Sequence, residues 1–298
     1  MRSLEYSLVD VFAERALEGN MLAVFHDGRG LSTEEMQALA RETNLSETTF
    51  VVPRHAGVEG ERGVQVRIFT VQEELEFAGH PTLGTASWLW WNHASFKGAN
   101  VVELELRVGK IPVRFSGGDA TSAVGVMRQR DPEFGAVHDR AAVAAALGMR
   151  VEDMDDELAP QTVSTGMAFC IVPLKDMEAI ARLQTPQHLA QAYLAKSDAK
   201  FFFCVTRTGG GGGADWHARM QFYNGEDPAT GSASGCAISY LVKHGAVASG
   251  ETVVIEQGVE MKRPSRIEVS ARVDGERVTD VFVGGRTIAV ATGRFLLH

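Results

Sequence analysis

Two ionisable residues lie at the same position of a repeated segment, where they could act on a common substrate. The segments are His80–Ser87 and Asp227–Ser234, which stand 147 residues apart in a chain of 298 residues. Pro, Gly, Ala and Ser coincide in the two copies, whereas the leading residue is His80 in one and Asp227 in the other. Two related segments that differ at one ionisable position predict a site to which both contribute.

Each copy leads from an apolar strand through a turn with proline into a helix rich in small residues. Small residues in the first turn of a helix leave backbone N–H groups uncovered, and the positive end of the helix favours an anion such as a carboxylate. If the two copies face each other, His80 and Asp227 would lie on either side of a substrate. The alternative is structural: Asp227 is then an ordinary N-cap and His80 an ordinary turn residue.

Glu47 is a further candidate, because it lies between an apolar helix and an apolar strand, in Asn44–Phe50. Burial at such a junction would raise the pKa of a carboxyl group and suit it to general acid/base chemistry near neutral pH. A glutamate that is simply solvated in a loop is the other interpretation. From the residues alone, this second interpretation is the commoner case.

The elements that must position these residues also occur twice. Gly19–Phe25 matches Gly166–Val172 at the same offset, and with a few residues inserted 31–44 matches 184–197. Strands outnumber helices, with about one long helix for each set of strands. We therefore predict an α+β fold of two pseudo-symmetric lobes, each a curved, mostly antiparallel, barrel-like sheet around a central helix. The N-terminal lobe is predicted over residues 1–118 and the C-terminal lobe over 119–285, with a last strand at 286–298 that returns to the first lobe.

Local signals place several elements within these lobes. Ser32 with Glu35 three residues later is a capping box, which predicts a helix that begins there and ends near Glu42. Further helices are predicted at 82–93 and 231–244. A hairpin is predicted across Gly109-Lys110.

Composition limits the class of protein and its partners. The formal net charge is −9, which argues against nucleic acid and anionic membrane surfaces as partners. The three cysteines form no CxxC pair, and no HExxH or EF-hand motif is present, so neither a disulfide framework nor a metal site is expected. Residues 1–12 lack the pattern of a signal peptide, and no apolar run is long enough for a membrane span. These features predict a cytoplasmic protein.

Six separate motifs, spread over nearly the whole chain, resemble the PhzF family of phenazine biosynthesis. They are Glu18–Asn20, Asn44–Thr48, Arg67–Thr70, Phe77–Gly84, Gly225–Ala233, and Gln257–Glu260 with Arg263–Ser265. The family has the fold of diaminopimelate epimerase, with the active site between two lobes. The resemblance implies an isomerase that needs neither metal nor organic cofactor. In the phenazine enzyme the substrate is trans-2,3-dihydro-3-hydroxyanthranilate.

The resemblance also implies roles for particular residues. Glu47 would remove the proton at ring C3 and return it to C1, while His80 and Asp227 would hold the amino and hydroxyl groups. The predicted substrate-binding residues, some of which would receive the carboxylate through backbone N–H groups, are Asn20, Ser46, Gly79, Thr230, Gly231 and Ser232.

Two other functions are compatible with the same fold. An amino-acid racemase of the related epimerases uses two cysteines at the helix N-termini, where this chain has His80-Pro81-Thr82 and Thr230-Gly231-Ser232. A small-molecule-binding protein without catalytic activity would be expected to have lost Glu47, His80 or Asp227. The partner expected in either case is a small carboxylate, and a homodimer is the predicted assembly.

Overall fold

A computed structural model describes residues 2–210, 213–222 and 225–297. The chain forms two compact units. Unit 1 comprises residues 1–128 and 284–298, and unit 2 comprises residues 129–283. The domain boundary predicted at residue 118 stays a prediction.

Strands make up most of the regular structure. In the described residues, the strands of unit 1 are β1 (Arg2–Val11), β2 (Asn20–Phe25), β3 (Glu47–Val52), β4 (Val64–Phe69), β5 (Glu74–Leu75), β6 (Val101–Leu106), β7 (Gly109–Gly118) and β8 (Ser122–Arg128). Those of unit 2 are β9 (Glu133–Val137), β10 (Gln161–Ser164), β11 (Ala168–Pro173), β12 (Phe201–Arg207), β13 (Trp216–Arg219), β14 (Gln221–Phe222), β15 (Gly225–Glu226), β16 (Thr252–Gln257) and β17 (Ser265–Asp274). The last strand, β18 (Arg277–Leu297), contributes to both units.

The helices are fewer and mostly short. Within the described ranges they are α1 (Thr33–Thr43), α2 (Ala56–Arg62), α3 (Gly79–Asn92), α4 (Arg140–Leu147), α5 (Met177–Ala181), α6 (Gln187–Leu194) and α7 (Gly231–Lys243), with a 3₁₀ turn at Val151–Asp153. The predicted capping box is present at α1: the Ser32 hydroxyl accepts from the Glu35 N–H, and the Glu35 carboxylate accepts from the Ser32 N–H. The spacing of Ser32 and Glu35, three positions apart, therefore predicts the start of α1 correctly.

The sheet of unit 1 closes on itself. Its strand order is β1-β2-β3-β4-β6-β7-β8-β18, and β18 pairs in turn with β1. The pairs β2–β3 and β4–β6 are parallel, and the other pairs with a determined direction are antiparallel. The ring encloses α3, which packs on β1, β2, β3, β6 and β8.

The sheet of unit 2 has the strand order β18-β17-β16-β13-β12-β11-β10-β9. Its parallel pairs are β11–β12 and β13–β16, and each follows an antiparallel pair as in unit 1. Helix α7 packs on β10, β11, β12 and β17. The predicted strand-rich, mostly antiparallel and barrel-like architecture is confirmed.

The two central helices are buried because their residues are small or apolar on every side. In α3 the residues from Gly79 to Ser87 are all buried, and in α7 the residues from Ala233 to Val242 are. A side chain on Gly84 would collide with Leu22 and Val11, at 2.7 and 2.8 Å from the added carbon. Glycine at this position therefore lets α3 approach the sheet closely.

Several predicted boundaries are wrong. Helix α3 begins at Gly79 rather than Thr82, since proline fits within a first turn whose N–H groups have no helical partner. The turn between β6 and β7 lies at Arg107-Val108, so Gly109 already belongs to β7. The last strand, predicted at 286–298, is part of a longer strand, β18, which begins at Arg277.

Candidate active site

In unit 1, two predicted site residues begin neighbouring parallel strands. Asn20 is the first residue of β2 and Glu47 the first of β3, and Glu47 pairs in register with Leu22. Because parallel strands run in the same direction, their first residues meet at one edge of the sheet. The topology thus brings Asn20 and Glu47 together, although they are 27 positions apart in the sequence.

The N-terminus of α3 brings His80 to this edge. His80 is the second residue of α3, inside the first turn, and is 4% exposed. Its Nδ1 atom lies 3.5 Å from Glu47 Oε2 and 3.4 Å from the Asn20 amide nitrogen Nδ2. The interpretation of His80 as an ordinary turn residue is therefore wrong, because the imidazole is buried in contact with two other polar side chains.

Burial determines the charge of His80. Desolvation lowers its pKa to about 3, against a smaller opposing effect of a hydrogen bond with the Met21 backbone. The ring is therefore neutral near pH 7, and its 3.5 Å contact with Glu47 is not an ion pair between two charged groups.

The Nε2 atom of the same ring is buried and has no hydrogen-bond partner among the described residues. A neutral imidazole has one donor and one acceptor nitrogen. In either tautomer, Nε2 is the ring atom left to bond with a ligand.

Glu47 is 7% exposed, so the interpretation as a solvated loop glutamate is wrong. The physical reason is the parallel pairing of β3 with β2, which places the start of β3 in the interior rather than in a loop. Gly79, the first residue of α3, is buried, and Ser46 is half-buried in the turn before β3. The N–H groups of Gly79 and His80 stand in the first turn of the helix, where no intrahelical acceptor exists.

In unit 2, Asp227 and Thr230 form a bonded loop before α7. The Thr230 hydroxyl donates to Asp227 Oδ2 at 2.5 Å, and both residues are buried. Thr230, not Asp227, is the N-cap of α7, so the interpretation of Asp227 as an ordinary N-cap is wrong. Its carboxylate accepts from a hydroxyl group three residues later.

The start of α7 has no cap from a side chain in the part of the chain that the structure describes. Gly231 is its buried first residue and Ser232 its half-buried second residue. Their N–H groups have no acceptor within the helix, and the first turn contains no acidic residue. This end of α7 therefore suits an anion.

Two glutamines position this loop, and sequence reasoning assigned a role to neither. The fully buried Gln257 donates through Nε2 to the Asp227 carbonyl at 2.7 Å and to the Thr230 hydroxyl oxygen at 3.0 Å, while its Oε1 accepts from the Thr230 N–H at 3.0 Å. Gln129 donates to the Gly231 carbonyl at 3.0 Å. Gln257 belongs to a motif seen in the sequence, whereas Gln129 gives no local signal because its partner is 102 residues away.

The acid of unit 1 has no acidic counterpart in unit 2. At the repeat offset Leu22 corresponds to Phe169. Leu22 pairs with Glu47 across the parallel strands, and Phe169 pairs with Phe201. At this position the repeat therefore has one carboxyl group and one phenyl ring.

The cysteines are buried away from both helix starts. Cys170 lies in β11, Cys204 in β12 and Cys236 inside α7. Burial raises the pKa of Cys204 to about 12 and that of Cys236 to about 11, and it raises the pKa of Cys170 as well. These thiols remain protonated near neutral pH.

The described residues contain neither a metal-binding cluster nor a membrane-spanning helix. No group of three or more His, Cys, Asp or Glu side chains there is arranged to hold a metal ion. No helix in the described ranges combines the length and apolarity needed to cross a membrane.

Comparison with known proteins gives the class. The model of the family described as phenazine biosynthesis-like protein (PhzC-PhzF) matches residues 9–293. The trans-2,3-dihydro-3-hydroxyanthranilate isomerase of Pseudomonas aeruginosa is 36% identical over 296 residues, covering 98% of this chain and 99% of its own.

Solved structures agree with this assignment. A protein of Pseudomonas aeruginosa described as a predicted epimerase has a TM-score of 0.83 and 34% identity, covering 99% of this chain and 100% of its own. A hydroxyproline epimerase of Agrobacterium vitis, at 12% identity, shares the fold with a TM-score of 0.69 over 99% of this chain and 93% of its own.

The family match and the isomerase relative, each over nearly the whole chain, identify an enzyme of the isomerase class. The chain belongs to the PhzC-PhzF family of phenazine biosynthesis-like proteins.

Proposed function

We propose that this isomerase moves a proton within a small amino carboxylate, without a cofactor, and that trans-2,3-dihydro-3-hydroxyanthranilate is its substrate. The observation that supports this best is the pairing of a buried carboxyl group, Glu47, with a neutral imidazole whose Nε2 is unbonded among the described residues. The similarity to the Pseudomonas aeruginosa isomerase over nearly the whole of both chains supports the choice of substrate.

In the proposed reaction Glu47 is the only acid/base group. Its carboxylate takes the proton from ring C3, the double bond shifts, and the resulting carboxylic acid returns the proton to C1. Because one group both takes and returns the proton, no second base is required. The presence of Phe201 at the position that corresponds to Glu47 agrees with a single base.

His80 orients the substrate rather than transferring the proton. A group whose pKa is about 3 is neutral at working pH and is a poor acceptor of a full proton. Its Nε2 is instead suited to a hydrogen bond with the amino or hydroxyl substituent. Asn20, 3.4 Å from Nδ1, helps fix the orientation of the ring.

In this proposal, unit 2 also has groups that suit a small amino carboxylate. The N–H groups of Gly231 and Ser232, at the uncapped start of α7, suit the substrate carboxylate. Asp227, held by Thr230 and Gln257, suits a substituent that donates a hydrogen bond.

This function is tested by incubating trans-2,3-dihydro-3-hydroxyanthranilate with wild type and with Glu47→Gln and following its ultraviolet spectrum. Turnover by wild type and its loss in the variant would support both the substrate and the base. No turnover by a folded wild-type protein would refute the proposed substrate. Other small amino carboxylates would then be screened in D2O, since deuterium entering the α-carbon of an amino acid would indicate racemisation instead.

The predicted homodimer remains a prediction. Sedimentation velocity at several protein concentrations would test it, and a single species with the mass of one chain would refute it.

A further inference from the structure

Strand β13 carries two cationic side chains close to the loop of Asp227. His217 and Arg219 are two residues apart, so they project from the same face of the strand. His217 is 1% exposed, and the proposed reaction gives it no role. A titratable group that is buried so completely requires partners.

The partners of His217 are two carboxylates. Its Nδ1 lies 2.9 Å from Glu256 Oε1, and its Nε2 lies 2.9 Å from Glu260 Oε1. A carboxylate oxygen accepts hydrogen bonds, so both ring nitrogens donate when the imidazole is protonated. The geometry is that of an imidazolium held between two acids.

Arg219 holds a third carboxylate next to the same cluster. Its Nε and Nη2 donate to the two oxygens of Glu226 at 2.7 and 2.8 Å, and its Nε lies 3.9 Å from Glu260 Oε2. Glu226 directly precedes Asp227 in the sequence. One face of β13 therefore fixes the chain immediately before Asp227.

The other two carboxylates flank the residue that holds Asp227. Glu256 precedes Gln257, whose side chain bonds to the Asp227 carbonyl and to Thr230, and Glu260 follows it by three residues. Between them, a carbon added to Gly258 would lie only 2.6 Å from the Pro228 carbonyl oxygen. The segment 256–260 thus packs directly on the Asp227 loop.

We propose that His217 is a positioning residue, whose imidazolium ties Glu256 and Glu260 together and thereby holds Gln257 where it fixes Asp227 and Thr230. The expected effect of His217 on catalysis rests on the proposed function, whereas its expected effect on the loop does not. Without the positive charge on His217, the carboxylates of Glu256 and Glu260 would lose the cation that lies between them. Their repulsion would then loosen the segment 256–260 and, through Gln257, the loop before α7.

The contribution of His217 to stability depends on pH, in a direction set by the groups that face it. These are Glu256 on β16 and Glu260 in the turn after it, with Arg219 beyond Glu260. Burial lowers the pKa of His217, but the hydrogen bonds and charges of Glu260 and Glu256 outweigh burial, so the pKa is raised. Since the folded pKa exceeds the unfolded value, this contribution to stability is complete below about pH 6.5 and is lost as pH rises through the raised pKa.

Hydrogen exchange followed by mass spectrometry tests the effect on the loop without any substrate. Wild type is compared with His217→Gln, with Glu260→Gln, which keeps an acceptor but removes the charge, and with His138→Gln. His138 is a control in the same unit, because its partners are the Tyr193 and Thr162 hydroxyl groups and the Asp198 carboxylate, all outside the loop.

We expect exchange at least about tenfold faster in peptides from 225–235 and 256–264 for both cluster variants, and wild-type exchange there for the control. Wild-type exchange in both cluster variants would overturn the proposal. Equal acceleration throughout unit 2 would also overturn it, because it would indicate a general structural role.

Kinetics on trans-2,3-dihydro-3-hydroxyanthranilate tests the effect on catalysis. We expect the kcat/KM of wild type to fall at alkaline pH as His217 loses its proton. His217→Gln should lower kcat/KM about tenfold or more and remove that fall. An unchanged pH profile would overturn the catalytic part. If wild type does not turn over this substrate, the proposed function fails, and the exchange result alone decides the positioning role.

Discussion

Replacing Glu47 by glutamine should separate catalysis from folding unusually cleanly. Glutamine has nearly the same shape and hydrogen-bonding reach, but its amide cannot take up or return the proton. The neighbouring His80 is neutral, because burial holds its pKa at about 3, so the substitution breaks no pair of opposite charges there. We therefore expect a folded protein without its acid/base group.

The size of the expected effect follows from that role. General acid/base catalysis typically contributes ~10²–10⁴ in rate, which corresponds to about 3–5 kcal/mol of transition-state stabilisation. The turnover number should fall by that factor, whereas KM should change little because the hydrogen-bonding groups remain. The free energy of unfolding should change by less than about 1 kcal/mol, as for a near-isosteric substitution.

Glu59→Gln is the matched control. Glu59 is 6% exposed, lies in the same unit, accepts from the Arg54 N–H at 2.8 Å and lies 3.4 Å from His93 Nε2. This variant should keep wild-type turnover and lose some stability. The assay is the ultraviolet change of the substrate at saturation, with urea unfolding of each protein. A Glu47→Gln enzyme that retains more than about a tenth of wild-type kcat would show that Glu47 is not the base.

Three further outcomes follow from the same geometry. The pKa of His80 is about 3 in the folded protein and near 6.5 in the unfolded chain. From pH 7 to pH 5, the free energy of unfolding should therefore fall by ~2 kcal/mol more in wild type than in His80→Gln, as measured by urea unfolding at both pH values. An equal fall in the two proteins would contradict a buried neutral ring. Gly258→Ala should lower the free energy of unfolding by about 2 kcal/mol more than Gly275→Ala. Both glycines have positive φ, but only a side chain at Gly258 would collide with Pro228. Similar melting temperatures of the two variants would argue against this packing. Asp227→Asn keeps an acceptor for the neighbouring hydroxyl group, so we expect an unchanged melting temperature with kcat/KM lowered about 10- to 100-fold; full activity would remove Asp227 from the site.

Local patterns in the sequence predict much of the fold. The capping box of Ser32 and Glu35 fixes the start of α1, because both hydrogen bonds lie within one turn of chain. The hairpin predicted across Gly109-Lys110 is present with its turn two residues earlier, between β6 and β7. Boundaries fail where a distant partner decides them, as at α3, whose first turn is buried against strands from elsewhere in unit 1.

The candidate site likewise contains residues that the sequence predicts and residues whose roles only the structure reveals. The repeated segments and the six motifs single out Glu47, His80 and Asp227, because they are properties of residue type and spacing. Gln257 and His217 gain their roles only through contacts with residues between 27 and 43 positions away. No spacing rule within a segment indicates such contacts.

The sequence by itself determined the family, the candidate residues and the absence of cysteine from both helix starts. The tertiary structure decided their chemical states. Parallel pairing of β2 and β3 buries Glu47, although a solvated loop was the commoner expectation. Removal from water makes His80 neutral, whereas two acids raise the pKa of His217 at a similar depth. A protonation state depends on solvation and on charges brought near by the fold, and residue order along the chain specifies neither.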